Sequence, residues 1–183
     1  GEHVGEPPNT ESTGCGGWHW QQVPYTTQLD CKFQGLTQAL SEVTCTLPEI
    51  GEVTPSPNTF NYRNKMEFSF GDKTYISDED YQLFRERKQP LPKGFFLGLH
   101  VPKSFGTVVD VKRCHIISDE LAQVYSLCRE WAPKLGGETY NQRLHTGFWR
   151  HLILREGVRS GEFMIHFNTT DAFQPDWSPF LSA

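Results

Sequence analysis

Two sets of side chains in this sequence carry the reactive chemistry: scattered cysteines and a run of cations. The cysteines stand at positions 15, 31, 45, 114 and 128. A cysteine thiolate acts as a nucleophile or a metal ligand. Here the number is odd and no pair has C-x-x-C spacing. That pattern fits reduced thiols in the cytoplasm rather than a secreted disulfide framework. The cations gather late in the chain, as Arg143, His145, Arg150, His151, Arg155 and Arg159, with only Glu156 opposing them. Arg63 and Lys65 form a second basic pair. Against this local basicity, 17 Lys and Arg face 22 Asp and Glu, a net charge of −5. An acidic chain argues against a general nucleic-acid binder, whose surface is usually basic, so any such contact falls to a local patch.

Placing these groups requires a fold. The chain has 183 residues, 37% of them hydrophobic, with 13 Phe, 6 Tyr and 5 Trp. That supplies a core for one domain, or one domain with an appendage. No apolar run approaches the ~20 residues of a membrane span, and the polar start of the chain has no apolar signal region. Residues 1–24 read as a flexible lead-in, on Pro7, Pro8 and a Ser/Thr/Asn/Gly cluster running to Gly17. Residues 25–44 read as a helix, because Leu29, Phe33, Leu36, Leu40 and Val43 recur at spacings of three and four; Gly35 weakens that pattern without breaking it. Residues 45–170 read as one α+β unit behind a stiff proline connector at Pro55 and Pro57.

Within that unit Met66, Phe68 and Phe70 alternate with Glu67 and Ser69, a half-buried strand over 65–71. Residues 72–93 are polar and charged, an expected long loop. Strands follow over 94–101 and 107–111. Ser118 before Asp119 and Glu120 caps a helix carrying Leu121, Val124, Tyr125, Leu127, Cys128 and Trp131, with its stop at Pro133. Residues 148–155 and 162–168 form a hairpin about a Gly157–Gly161 turn. The tail, 171–183, has no clear element. Helix, strands, helix and hairpin in this order predict an α+β fold with a mostly antiparallel sheet and flanking helices.

Four segments make the reading specific. Cys15-Gly16-Gly17, followed by Gln21, Tyr25, Gln28, Leu29 and Lys32, resembles the C-G-G-C-x-x-Q-H…Y-x-x-Q-L-x-x-K block of the RNA uracil-5-methyltransferases. Pro55-Ser56-Pro57 leading to Tyr62-Arg63-Asn64-Lys65-Met66-Glu67-Phe68-Ser69-Phe70-Gly71 is similar to that family's Y-R-N-K-M-E-F-S-F-G strand. Gly98-Leu99-His100, Val109-Asp110-Val111 and Cys114 resemble its G-F-H…V-D-V-x-x-C block. His145-Thr146-Gly147-Phe148-Trp149-Arg150-His151-Leu152, running on to Arg155, Glu156 and Gly157, resembles its H-x-G-x-L-R-H-L-x-x-R-x-G hairpin. The blocks occur in family order from about residue 15 to 168.

The resemblance implies methyl transfer from S-adenosylmethionine to C5 of a uridine in transfer or ribosomal RNA. In that family a cysteine thiolate adds at C6 and makes C5 nucleophilic, and a base removes the C5 proton. These groups, with the cofactor loop, belong to a C-terminal domain that follows a central RNA-gripping domain. The blocks here match the central domain. The expectation is therefore a substrate-RNA-recognition portion with no catalytic residue of its own and no bound S-adenosylmethionine. Its helix at 25–44 would pack on the methyltransferase domain, and its tail would lead toward it. The other reading is a non-catalytic module of this ancestry that binds RNA or protein.

The target base must leave its stack to be reached, so the central domain's implied task is to hold rearranged RNA. The expected ligands are Arg63, Lys65, Arg150, Arg155 and His100. Arg63 and Lys65, two apart on a strand, project from one face. Arg150 and Arg155 have opposite parity, so a regular strand cannot present both; Arg150 is the favoured RNA ligand and Arg155 the candidate for an internal ion pair. Relatives also carry an iron–sulfur cluster on C-x5-C-G-G-C and one distant cysteine. By that resemblance Cys15 and Cys114 are remnant ligand positions, while Asn9 and Trp18 occupy the other two matched places. No cluster, and no other metal, is expected.

Overall fold

The computed structural model describes residues 20, 23–46, 49–101, 104 and 106–183. Almost all of the expected lead-in, with Cys15 and its two glycines, lies outside them. The chain divides into two compact units, which part between Thr59 and Phe60.

In the first unit, helix α1 spans Tyr25–Ser41, as the three-and-four spacing predicts. Its N-cap is Pro24, which offers no side-chain acceptor. Gln28 does the fastening instead: its buried amide donates to the carbonyls of Trp20 at 3.1 Å and Val23 at 2.8 Å. The backbone N–H of Ser56 donates to the Tyr25 hydroxyl at 2.7 Å, which ties the proline connector to the helix start. Leu29, Phe33 and Leu40 are half-buried, whereas Leu36 and Val43 are exposed.

The second unit is built on a five-stranded sheet in the order β3-β2-β1-β4-β5, antiparallel throughout. The strands are β1 (Lys65–Lys73), β2 (Lys93–His100), β3 (Val108–Asp110), β4 (Trp149–Gly157) and β5 (Glu162–Thr169). The expected loop at 72–93 is corrected: it contains helix α2, Asp78–Glu86. Ser77 accepts from the Asp80 N–H, and Asp78, Glu79 and Asp80 fill the first turn. These are helix-start signals that complement the helix dipole; the surrounding polarity hid them.

Helix α3, Asp119–Leu135, is capped by Ser118, whose hydroxyl accepts from the Leu121 N–H. It runs two residues beyond the expected stop at Pro133. A proline in the last turn removes only one helical donor, so it need not end the helix where it stands. Met66, Phe68 and Phe70 turn to the α3 side, where the Phe68 and Tyr125 rings meet at 4.3 Å. The Tyr125 hydroxyl reaches the carbonyls of Leu97 and Val111 at 2.9 and 2.6 Å. Arg129 pairs through both guanidinium nitrogens with Asp110, at 2.5 and 2.7 Å. Leu97, Leu121, Leu152 and Leu154 complete this core, and each such side chain contributes about 1.5–3 kcal/mol by leaving water. The tail adds α4, Ser178–Leu181, and an aromatic cluster in which Trp149 meets Phe167 and Trp177 at 5.3 and 5.8 Å.

The far half of β1 is curled. Its register shifts between Gly71 and Lys73, and Thr74 then bridges Val108 of β3. The Tyr75 N–H donates to the Val108 carbonyl at 2.9 Å. At Gly98 the neighbouring strand comes so close that a Cβ would overlap the Val109 carbonyl oxygen.

Candidate nucleic-acid interface

Strand alternation divides the sheet's side chains. Met66, Phe68, Leu152 and Leu154 face α3, so Lys65, Glu67, Ser69, His151, Ile153 and Arg155 take the other face. Cross-strand pairing fixes the rows: Lys65 opposes Arg155, Glu67 opposes Ile153, and Ser69 opposes His151. β5 extends them with Met164, His166 and Asn168. Lys65 and Arg155 are both exposed, and neither has an ion-pair partner among the described residues. Like charges held directly opposite each other destabilise a sheet.

The parity argument separating Arg150 from Arg155 is corrected. Trp149 pairs with Thr169 and His151 with Asn168, so Arg150 is an inserted residue, a β-bulge. The insertion resets the alternation. Trp149 turns into the core with Leu152 and Leu154, while Arg150 is exposed. Its guanidinium lies over the Tyr140 ring, 4.6 Å from the centroid. The Tyr140 hydroxyl is 3.1 Å from His145 Nδ1. Neither Arg150 nor Arg155 makes an internal ion pair among the described residues.

Arg63 also departs from its expected setting. It precedes β1, joined to Ile117 by an isolated parallel bridge, and its backbone N–H donates to Ile116 at 2.8 Å. Its Nε donates to the Lys65 carbonyl at 3.0 Å, which leaves the rest of the exposed guanidinium toward water. His151 Nδ1 is 3.2 Å from the Ser69 hydroxyl and 4.0 Å from Glu67. Burial holds its pKa below the usual histidine value; Arg150 and His100 push the same way against Glu67. His151 is thus a neutral hydrogen-bonding group near pH 7. His100, at the end of β2, has a buried Nδ1 with no partner among the described residues.

The described thiols divide by burial. Cys31 and Cys45 are exposed, Cys114 and Cys128 buried. Burial pushes the Cys128 thiol up to about 12, which keeps it protonated and non-nucleophilic. Cys15 lies outside the described residues, and of the matched cluster positions only Cys114 is described. The described residues form no group of three or more His, Cys, Asp or Glu suited to a metal ion. None of their helices is long and apolar enough to cross a membrane. The sequence reading missed Tyr140 and Asn141. An Asn that bonds the backbone two residues on is a turn signal, and it was available.

No protein-family model matches the chain. It is 31% identical over 157 residues to a Chlorobaculum tepidum protein described as an uncharacterized RNA methyltransferase, covering 85% of this chain and 32% of that protein. A Porphyromonas gingivalis protein with the same description is 33% identical over 162 residues, covering 85% and 34%. The chain therefore spans about a third of the length of the curated relatives it matches. Among solved structures, it resembles Pyrococcus abyssi tRNA (uracil-54, C5)-methyltransferase in complex with S-adenosyl-L-homocysteine. The TM-score is 0.62 at 23% identity, over 91% of this chain and 34% of that one. This likeness establishes the α+β fold.

Proposed function

We propose that this chain, a homologue of one third of these RNA methyltransferases, is the substrate-RNA-recognition portion of an S-adenosylmethionine-dependent RNA uracil-C5 methyltransferase. Its substrate is transfer or ribosomal RNA in the cytoplasm. The observation that carries the reading is the opposition of Lys65 and Arg155 on an uncovered sheet face. Two cations in cross-strand register cost stability alone, and an anion between them offsets that cost. A phosphodiester backbone supplies anions at such spacing, and lysine and arginine are its usual ligands. Arg63, Arg150 and His100 extend the set.

S-adenosylmethionine, bound elsewhere in the parent, supplies the methyl group. The described residues do not fit its usual pocket, which needs a parallel strand–turn–helix unit; here every neighbouring strand pair is antiparallel. The task of this chain is to grip and orient. Lys65 and Arg155 hold phosphate, exposed Arg150 on its Tyr140 platform offers a guanidinium plane to an unstacked base, and neutral His151 adds a hydrogen-bonding edge. The thiolate that attacks uracil C6 belongs to the length of the relatives that this chain does not span. Helix α1 packs on that region in the parent. By itself the chain is expected to transfer no methyl group from labelled cofactor to RNA, and label at uridine C5 would refute that assignment.

The test of RNA binding is fluorescence anisotropy with a structured RNA at several salt concentrations. Each lost phosphate contact lowers the salt slope by about 0.7–0.9. The Lys65→Ala, Arg155→Ala double variant should therefore weaken binding and flatten the slope by roughly 1.5. An unchanged affinity and slope would exclude this face.

A further inference from the structure

Asp72 and Lys73 line a cleft together with His100, Val108 and the loop that begins at Tyr140. The half-open cleft has a volume of about 750 Å³, inside the roughly 300–1,000 Å³ range of small-ligand sites. Its loop wall is built rigidly. Asn141 Oδ1 accepts from the N–H groups of Arg143 and Leu144, each at 3.0 Å, and the Asn141 N–H donates to Thr146 at 2.7 Å. Behind it Gly147 adopts φ +101°, and its carbonyl accepts from the Thr170 hydroxyl at 2.7 Å. A loop fixed before binding loses little entropy when a ligand arrives.

We propose that this cleft holds one unstacked nucleotide of the substrate RNA. The inference rests on the RNA-binding reading and deepens it. The lining groups match the parts of a nucleotide. Lys73 and Arg143 are cations for its phosphate. The Asp72 carboxylate accepts from the ribose 2′-hydroxyl, the group by which proteins distinguish RNA from DNA. The half-buried His100 ring lines the cleft and offers a hydrogen-bonding edge to a base. A paired base cannot enter such a site, so the cleft selects single-stranded positions over continuous duplex.

The experiment compares two fluorescent RNAs by anisotropy, a stem–loop and a blunt duplex of equal length, on the 183-residue chain. The chain is expected to prefer the stem–loop. His100→Phe, which removes both ring nitrogens, and Arg143→Gln, an exposed change that leaves the core untouched, should each reduce stem–loop affinity about tenfold, within the range of losing one bound base. Duplex affinity should fall much less than stem–loop affinity. Lys65→Ala should weaken both RNAs. No binding of either RNA by the parent chain would overturn the RNA reading itself. Binding without stem–loop preference, or a preference that survives both cleft variants, would overturn the cleft alone. A stem–loop DNA that competes as well as the RNA would remove the role given to Asp72.

Discussion

Gly98→Ala should be among the most damaging single changes on the sheet, and its cost follows from backbone geometry. The added Cβ would overlap the Val109 carbonyl oxygen and stand 2.9 Å from Val111 N. Both are backbone atoms, so no rotamer change relieves the overlap; β3 must move off β2. That movement breaks the pairings of Gly98 with Asp110, Leu99 with Val109 and His100 with Val108. It also loosens the Val111 N–H donation to Leu97 at 3.2 Å. At about 1 kcal/mol net per hydrogen bond, three lost bonds cost about 3 kcal/mol. Alanine's lower unfolded-state entropy returns about 0.4–1 kcal/mol, leaving a loss of roughly 2–2.5 kcal/mol. For a chain of this size each kcal/mol moves Tm by about 2–4 °C, so a fall of roughly 4–10 °C is expected in thermal unfolding followed by far-UV circular dichroism. A Tm within about 1 °C of the parent would refute the close approach of β2 and β3.

The Arg129–Asp110 pair is three-quarters buried and reaches from α3 to β3. Arg129→Met should cost about 1–3 kcal/mol, below the fully buried limit, and a denaturant midpoint equal to the parent's would contradict that. His151 has its folded pKa depressed, so the unfolded chain binds the proton first. Stability from this group is therefore full above the unfolded value of about 6.5 and falls as pH drops toward the folded value; His151→Gln should shrink that loss, and identical pH–stability curves would argue against it. Cys31 and Cys45 should alkylate rapidly in the native protein and Cys128 only after unfolding, with mass mapping as the readout; early modification of Cys128 would contradict its burial. Amides of α1 should exchange faster than those of α3, because Leu36 and Val43 lie open at 47% and 44% exposure; equal protection would show that α1 is covered.

Where one period dominated, the fold was legible. Met66, Phe68 and Phe70 alternate cleanly, and β1 is found there with that face buried. Ser118 followed by two acids places the start of α3 correctly, because the cap and the first turn are local chemistry. The hairpin was legible from its turn: two apolar runs flank a polar segment with a glycine at each end. α2 was missed because it buries no residue and so has no apolar stripe to find; its signal lay in Ser77 and three acids alone. The tail was unreadable because its order comes from distant partners. Trp177 meets Trp149 as well as Phe167, and no short sequence window contains both Trp149 and Trp177.

The site was legible in its residue types and not in its geometry. Arg63, Lys65, Arg150, Arg155 and His100 stand out as polar or basic groups among apolar ones, but their faces depend on departures from regularity. A single inserted residue at Arg150 reverses the parity that would separate it from Arg155. Beyond the register shift after Gly71, Thr74 bridges Val108, and Lys73 and His100 line one cleft although their strand partners differ. These irregularities lie where the cations and the cleft are, in keeping with the tendency of bulges to sit beside functional sites. The acidity of the chain then acquires a positive role. With net charge −5, most of the surface repels a polyanion, and screening limits each charge to about 8–10 Å at physiological salt. Under the proposed reading, RNA approaching at random is repelled except near the face where Lys65 and Arg155 stand opposed. A uniformly basic domain would bind RNA more tightly and in many orientations. Under the proposed RNA-binding reading, an acidic domain with a cationic face favours one orientation of the bound RNA.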